Sequence, residues 1–174
     1  MVVSLAMGFA LAQDFNSTVS AGSSWVNPIV SSEEVRALPW VRANTAHRER
    51  FMACIFEGEF LMGHTLRESM EGGDWAIVPD VVRQMGDVND FFTTNESFKA
   101  WQIASKYNAT HAWVPLRDQF CGFSWERASM KKFSDTRYFE EAFSNEKVKI
   151  YRILPQSSSL SAPTVKPAGS RGSG

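Results

Sequence analysis

The sequence predicts an α/β layered domain, a small mixed sheet flanked by helices. Three observations predict it. Capped segments carry apolar residues at helical spacing, and short apolar runs of strand length separate them. Two alternating segments at the end flank a polar loop, Ser144-Asn145-Glu146-Lys147. The order helix, strand, helices, strand makes the first two strands parallel, and the closing pair adds a C-terminal antiparallel hairpin.

The 174 residues suit one core. Aromatic residues reach 13%, with thirteen Phe and six Trp to supply buried apolar area. Acids and bases are dispersed around a formal net charge of -1, so no basic stripe exists to meet nucleic acid.

Three regions follow from composition. Residues 1–24 form an apolar segment plus linker, 25–154 the single α/β domain, and 155–174 a Pro/Ser-rich tail. Residues 2–12 are almost wholly apolar but too few to cross a bilayer alone, which takes about 20 residues. They read as a signal-peptide core ending Ala10-Leu11-Ala12, as the outer end of a transmembrane helix, or as a short packed terminal helix. The first two readings place the rest of the chain outside the cytoplasm. The tail has too little apolar surface to offset its ordering entropy and is expected to be disordered, and its last residues, 169–174, read as an appended linker.

Within the domain, Ser31 and Glu34 predict a capping box opening a helix with Val35, Leu38 and Val41 on one stripe. Pro39 is expected to kink or shorten that helix. Residues 50–56 (RFMACIF) predict a buried strand, and 58–70 a helix or helical turn. Glu71-Gly72-Gly73-Asp74 is a turn. Val82, Met85 and Val88 are helically spaced, and Thr93 with Glu96 predicts a second capping box before a helix carrying Phe98 and Trp101. Asn108 is placed at that helix's end as a C-cap. Residues 110–116 predict the next strand, 134–141 a short helix or extended segment, and 138–143 with 148–154 the closing hairpin.

No complete catalytic motif occurs, so no catalytic residue, metal site or cofactor is expected. His47, His64 and His111 lack the spacing that puts two ligands on one helix face. Glu57, Glu59, His64 and Asp74, with Asp80 near them, fall close to a strand end, where α/β domains place ligands, and form a candidate cleft. Solvated loop carboxylates are the simpler explanation. Trp75 is read as a turn anchor, with stacking on a sugar ring as the functional alternative. Residues 120–125 (FCGFSW) are either a contact loop facing a membrane or partner, or a buried loop. Cys54 and Cys121 form no metal or CxxC spacing. They are taken as two buried, unpaired thiols, with a bridge as the alternative in an oxidising compartment. Asn16, Asn95 and Asn108 head Asn-X-Ser/Thr triplets, candidate glycosylation acceptors in an exported chain.

The blocks VRALPWVRANT (35–45) with the strand that follows, GGDW (72–75), DFFTT (90–94), ASKYNAT (104–110) and FEEAFSNEKVKIYRI (139–153) stand in this order along the chain. In that order they resemble the extracytoplasmic C-terminal domain of archaeal multi-pass membrane glycosyltransferases, the group containing oligosaccharyltransferase-like subunits. The resemblance implies an α/β domain attached to membrane helices, with a glycan or protein acceptor as partner. It implies no active site here, because the family's catalytic acids lie in loops between membrane helices and the WWDYG hallmark is absent. The leading expectation is a non-catalytic extracytoplasmic domain, membrane-anchored or exported. The alternatives are a stand-alone exported binding module and a small enzyme using Glu57, Glu59, His64 and Asp74.

Overall fold

Alternation along the strands decides which side chains meet which helices. The computed structural model describes residues 30–73 and 78–155. Among the described residues four helices, α1 (Ser32–Asn44), α2 (Ile55–Thr65), α3 (Val81–Thr93) and α4 (Ser97–Lys106), surround two sheets. The strands are β1 (Arg50–Met52), β2 (Glu68–Ser69), β3 (His111–Pro115), β4 (Asp118–Phe120), β5 (Trp125–Arg127), β6 (Phe139–Ser144) and β7 (Val148–Ile153). The main sheet has the order β2-β1-β3-β7-β6; β1 is parallel to β2 and β3, while β7 is antiparallel to β3 and β6. This is the mixed sheet with a closing hairpin that the sequence predicts. β4 and β5 form a separate antiparallel hairpin.

Phe51, Trp113, Val148 and Ile150 project to one face and pack with Ala37, Leu38 and Val41 of α1 and Leu61 of α2. Met52, Ala112, Val114, Tyr151 and Ile153 project to the other, against Val88, Phe91 and Phe92 of α3 and Ala100 and Ala104 of α4. Residues next to each other in β1, β3 and β7 therefore serve different cores, as the two-residue period of a strand requires.

Several local expectations change. The Ser31–Glu34 capping box forms, but α1 runs through Pro39 without ending. Pro39 is on the exposed side of the helix, where a carbonyl left without a donor meets water. The apolar run at 50–56 divides: β1 stops at Met52, and Cys54 is the N-cap of α2. Residues 58–70 contain the rest of α2 and then the edge strand β2, which the helical reading missed. The second capping box is absent, because Thr93 is still helical and its hydroxyl donates back to the Asn89 carbonyl at 2.9 Å. Segment 134–141 becomes the end of a 3-10 turn (Lys131–Ser134) followed by β6.

Residues 120–125 form the β4–β5 turn. There Gly122 has φ 92°, and a Cβ would strike the Met85 side chain. Cys54 and Cys121, expected as separate thiols, are joined as a disulfide with Cα atoms 4.6 Å apart. Sequence separation of 67 concealed that the end of β1 and the end of β4 are neighbours.

The segment after β5 is fastened by a buried lysine. Lys132 Nζ donates to the carbonyls of Phe92 at 2.6 Å, Thr94 at 3.2 Å and Ser129 at 2.9 Å. Two of these carbonyls lie at the C-terminal end of α3, which needs donors. Burial pushes the amine down to about 7. The carbonyls and the nearby faces of Phe91 and Phe133 favour the charged form.

Gly58 in α2 lies against the Glu71 backbone, and a Cβ there would collide with the Glu71 carbonyl and the Ser69 hydroxyl. Gly58→Ala is expected to destabilise the fold by about 1–3 kcal/mol, measured by urea unfolding. An unchanged midpoint would show that α2 and the segment after β2 are free to separate.

Candidate functional site

Ligands of α/β domains usually lie beyond the C-terminal ends of parallel strands. Here three segments leave the sheet at that end: Cys54 after β1, Glu71 after β2 and Arg117 after β3. The first turn of α2 carries Glu57 to the same place, and the start of α1 brings Glu34. Gln119 in β4 and Cys121 just after it are both buried, while Asp118 between Arg117 and Gln119 is exposed. The result is a polar seam among two helices and a hairpin.

Arg117 is its centre. It grips Glu34 through Nε at 3.3 Å and Nη2 at 2.9 Å, and donates from Nη1 to the Asp118 carbonyl at 3.0 Å. Nη2 also lies 2.8 Å from Glu57 Oε1, a charge contact without hydrogen-bond alignment. Glu34 in turn accepts from the Ser31 backbone N–H at 2.7 Å and the Ser31 hydroxyl at 2.8 Å. One guanidinium thus serves two fully buried carboxylates.

Glu71 is the third acid. Neither its carboxyl oxygens nor the amide atoms of Gln119 have a hydrogen-bond partner among the described residues. Glu71 shares a small cavity with Ile55, Met70, Val81 and Met85. Burial first, then the negative Glu57 beside it, pushes the Glu71 carboxyl up to about 8, so it carries a proton at neutral pH. Burial also raises Glu57, and Arg117 opposes that rise. A Glu71 oxygen and the sulfurs of Cys54 and Cys121 lie within 4.8 Å of one another. Metal ligation by cysteine needs thiolates, which the disulfide does not offer.

Among the described residues of the candidate cleft, only Glu57 is placed in the seam. Glu59 is exposed. His64 is exposed in the last turn of α2, edge-on to Phe60 at 4.9 Å, and two turns, about 10 Å, from Glu57. Asp74 and Trp75 lie outside the described residues, as does Asn16. Asp80 is exposed and pairs with Arg83 at 2.9 Å. Asn95 is exposed between α3 and α4 and accepts from Ser129 at 2.5 Å. Asn108 is exposed with φ 53°, the left-handed conformation of a residue just past a helix end.

Arg117, Gln119 and Glu71 were missed in the sequence. The signal for two of them is the alternation Arg117, Gln119, Cys121, which reads as one face of a strand once β4 is recognised.

This architecture is similar to the C-terminal globular domain of the oligosaccharyltransferase AfAglB-S2 from Archaeoglobus fulgidus. The TM-score is 0.53 at 13% identity, over 72% of this chain and 99% of that one. The likeness is one of fold. No protein-family model matches the sequence, and no curated protein matches it. Among the described residues no helix is long and apolar enough to cross a membrane.

Two outcomes test the seam. Below pH 4.5 Glu71 is protonated folded or unfolded; as pH rises toward 8 only the unfolded chain releases its proton, so stability falls across that window. Glu71→Gln is expected to flatten this dependence and raise the melting temperature at pH 8; an unaltered profile would place the titration elsewhere. Arg117→Ala leaves two buried carboxylates uncompensated and is expected to cost about 3–5 kcal/mol in chemical unfolding, with only partial rescue by Arg117→Lys.

Proposed function

We propose that this chain is a non-catalytic extracytoplasmic domain of a membrane glycosyltransferase-like protein, where it positions an acceptor or partner. The fold likeness to an oligosaccharyltransferase's C-terminal globular domain carries the proposal. Two further observations support it. The Cys54–Cys121 disulfide suits an oxidising compartment. Glu34, Glu57 and Gln119 have no exposed surface. General acid–base work requires reach to a substrate, so the seam acts as a fastening of the fold.

Location and role are tested separately. In intact cells making the whole protein, externally added protease is expected to cut this domain, and Cys54 and Cys121 to resist alkylation until reduced. Protection from the protease would put the domain on the cytoplasmic side. In membranes from the same cells, Glu57→Gln and Glu71→Gln are expected to leave glycosyl transfer within about threefold, since no catalytic group is removed. A loss of kcat beyond about a hundredfold with an intact fold would move the chemistry into this domain.

A further inference from the structure

The exposed face of the β4–β5 hairpin has no role in the seam. Pairing puts Asp118 opposite Arg127 and Phe120 opposite Trp125. Trp125 stacks on Phe56 of α2 at 6.0 Å and 21°, and packs against Phe120 at 5.7 Å. Yet Trp125 is 56% exposed, and Phe123 at the turn is also 56% exposed. An aromatic patch held from beneath and open above is a poor arrangement for a surface meeting only water.

The path of the chain indicates what covers it. α1 begins beside this hairpin: Ser31 is bound to Glu34, Glu34 to Arg117, and Arg117 directly precedes β4. Val35, in the first turn of α1, is 49% exposed. Ser31 at the start of α1 is thus tied to the base of that hairpin, and upstream of it in the sequence residues 2–12 are almost wholly apolar. Beside the patch Asp118 pairs with Arg127 at 3.2 Å, and Glu126 accepts from the Ser124 hydroxyl at 2.8 Å without a cationic partner among the described residues, so no excess positive charge lies there. Without excess positive charge there is no pull toward an anionic surface, whereas Trp and Phe favour the boundary between water and lipid regardless of headgroup charge.

We propose that the β4–β5 hairpin docks on a lipid bilayer, with Phe123 and Trp125 seated in the interface. The proposal rests on the membrane-tethered reading above. It orients the domain with the C-terminal ends of β1 and β3 toward the membrane.

The test is flotation of the full chain with zwitterionic phosphatidylcholine vesicles. The double variant Phe123→Ser/Trp125→Ser is expected to lower the partition coefficient about tenfold or more. Phe98→Ser, which removes an exposed aromatic on α4, is expected to leave it within about twofold. The conservative pair Phe123→Leu/Trp125→Phe keeps the apolar area and is expected to retain binding, which separates docking from misfolding. Equal partition of the wild type and the serine pair would overturn the docking while leaving a tether through residues 2–12 standing. No partition by any form would remove both. An equal loss in Phe98→Ser would mean general apolar adhesion and also overturn it. A lipid-free dimer that the serine pair dissociates would assign the patch to a second copy instead.

Discussion

The contact on which most of this structure depends is Arg117 between Glu34 and Glu57. It joins the start of α1, the start of α2 and the exit from β3 at one point. Each glutamate is fully buried, so neither has water to solvate its charge. A buried carboxylate without a partner costs several kcal/mol, which makes the guanidinium a condition of this packing. The Ser31 cap belongs to the same network: its backbone and hydroxyl take up the Glu34 oxygen that Arg117 holds weakly. Helix capping and domain closure are here one set of hydrogen bonds.

From that point the β4–β5 hairpin is held along its whole length. Arg117 fastens its beginning, the Cys54–Cys121 disulfide its turn, and Lys132 with Ser129 the segment that follows. Ser129 donates its N–H to the Phe92 carbonyl at 2.8 Å, the same carbonyl that Lys132 takes. Two strands alone are marginal in water, and this hairpin is not part of the main sheet. Covalent and ionic fastening lets it present exposed aromatic side chains in a defined orientation. A fixed orientation of that kind is what a contact surface requires.

The elements with strong local signals were legible in the sequence. The Ser31–Glu34 box, the Asn145 loop and the alternation of Val148 and Ile150 each rest on contacts within a few residues. Asn145 shows why: its side chain accepts from Lys147 and Val148 at 3.0 Å, closing the turn locally. The two-residue strand β2 carried no such signal, since its pairing with β1 is across 18 residues. Thr93 carried a misleading one, because a Thr three residues before a Glu also occurs where the hydroxyl bonds back into its own helix.

By itself the sequence determined the α/β class, the mixed order of the sheet and the first helix cap. These follow from periodicity and from side chains bonding to nearby backbone, interactions encoded within a turn or two. Tertiary structure alone decided the Cys54–Cys121 bridge, the union of Glu34 and Glu57 around one arginine with Glu71 buried beside Glu57, and the separation of His64 from Glu57. Those depend on which strand ends become neighbours. Chain closure over 67 residues, as between Cys54 and Cys121, leaves no pattern along the chain, because the groups are neighbours only through the folded arrangement of β1 and β4.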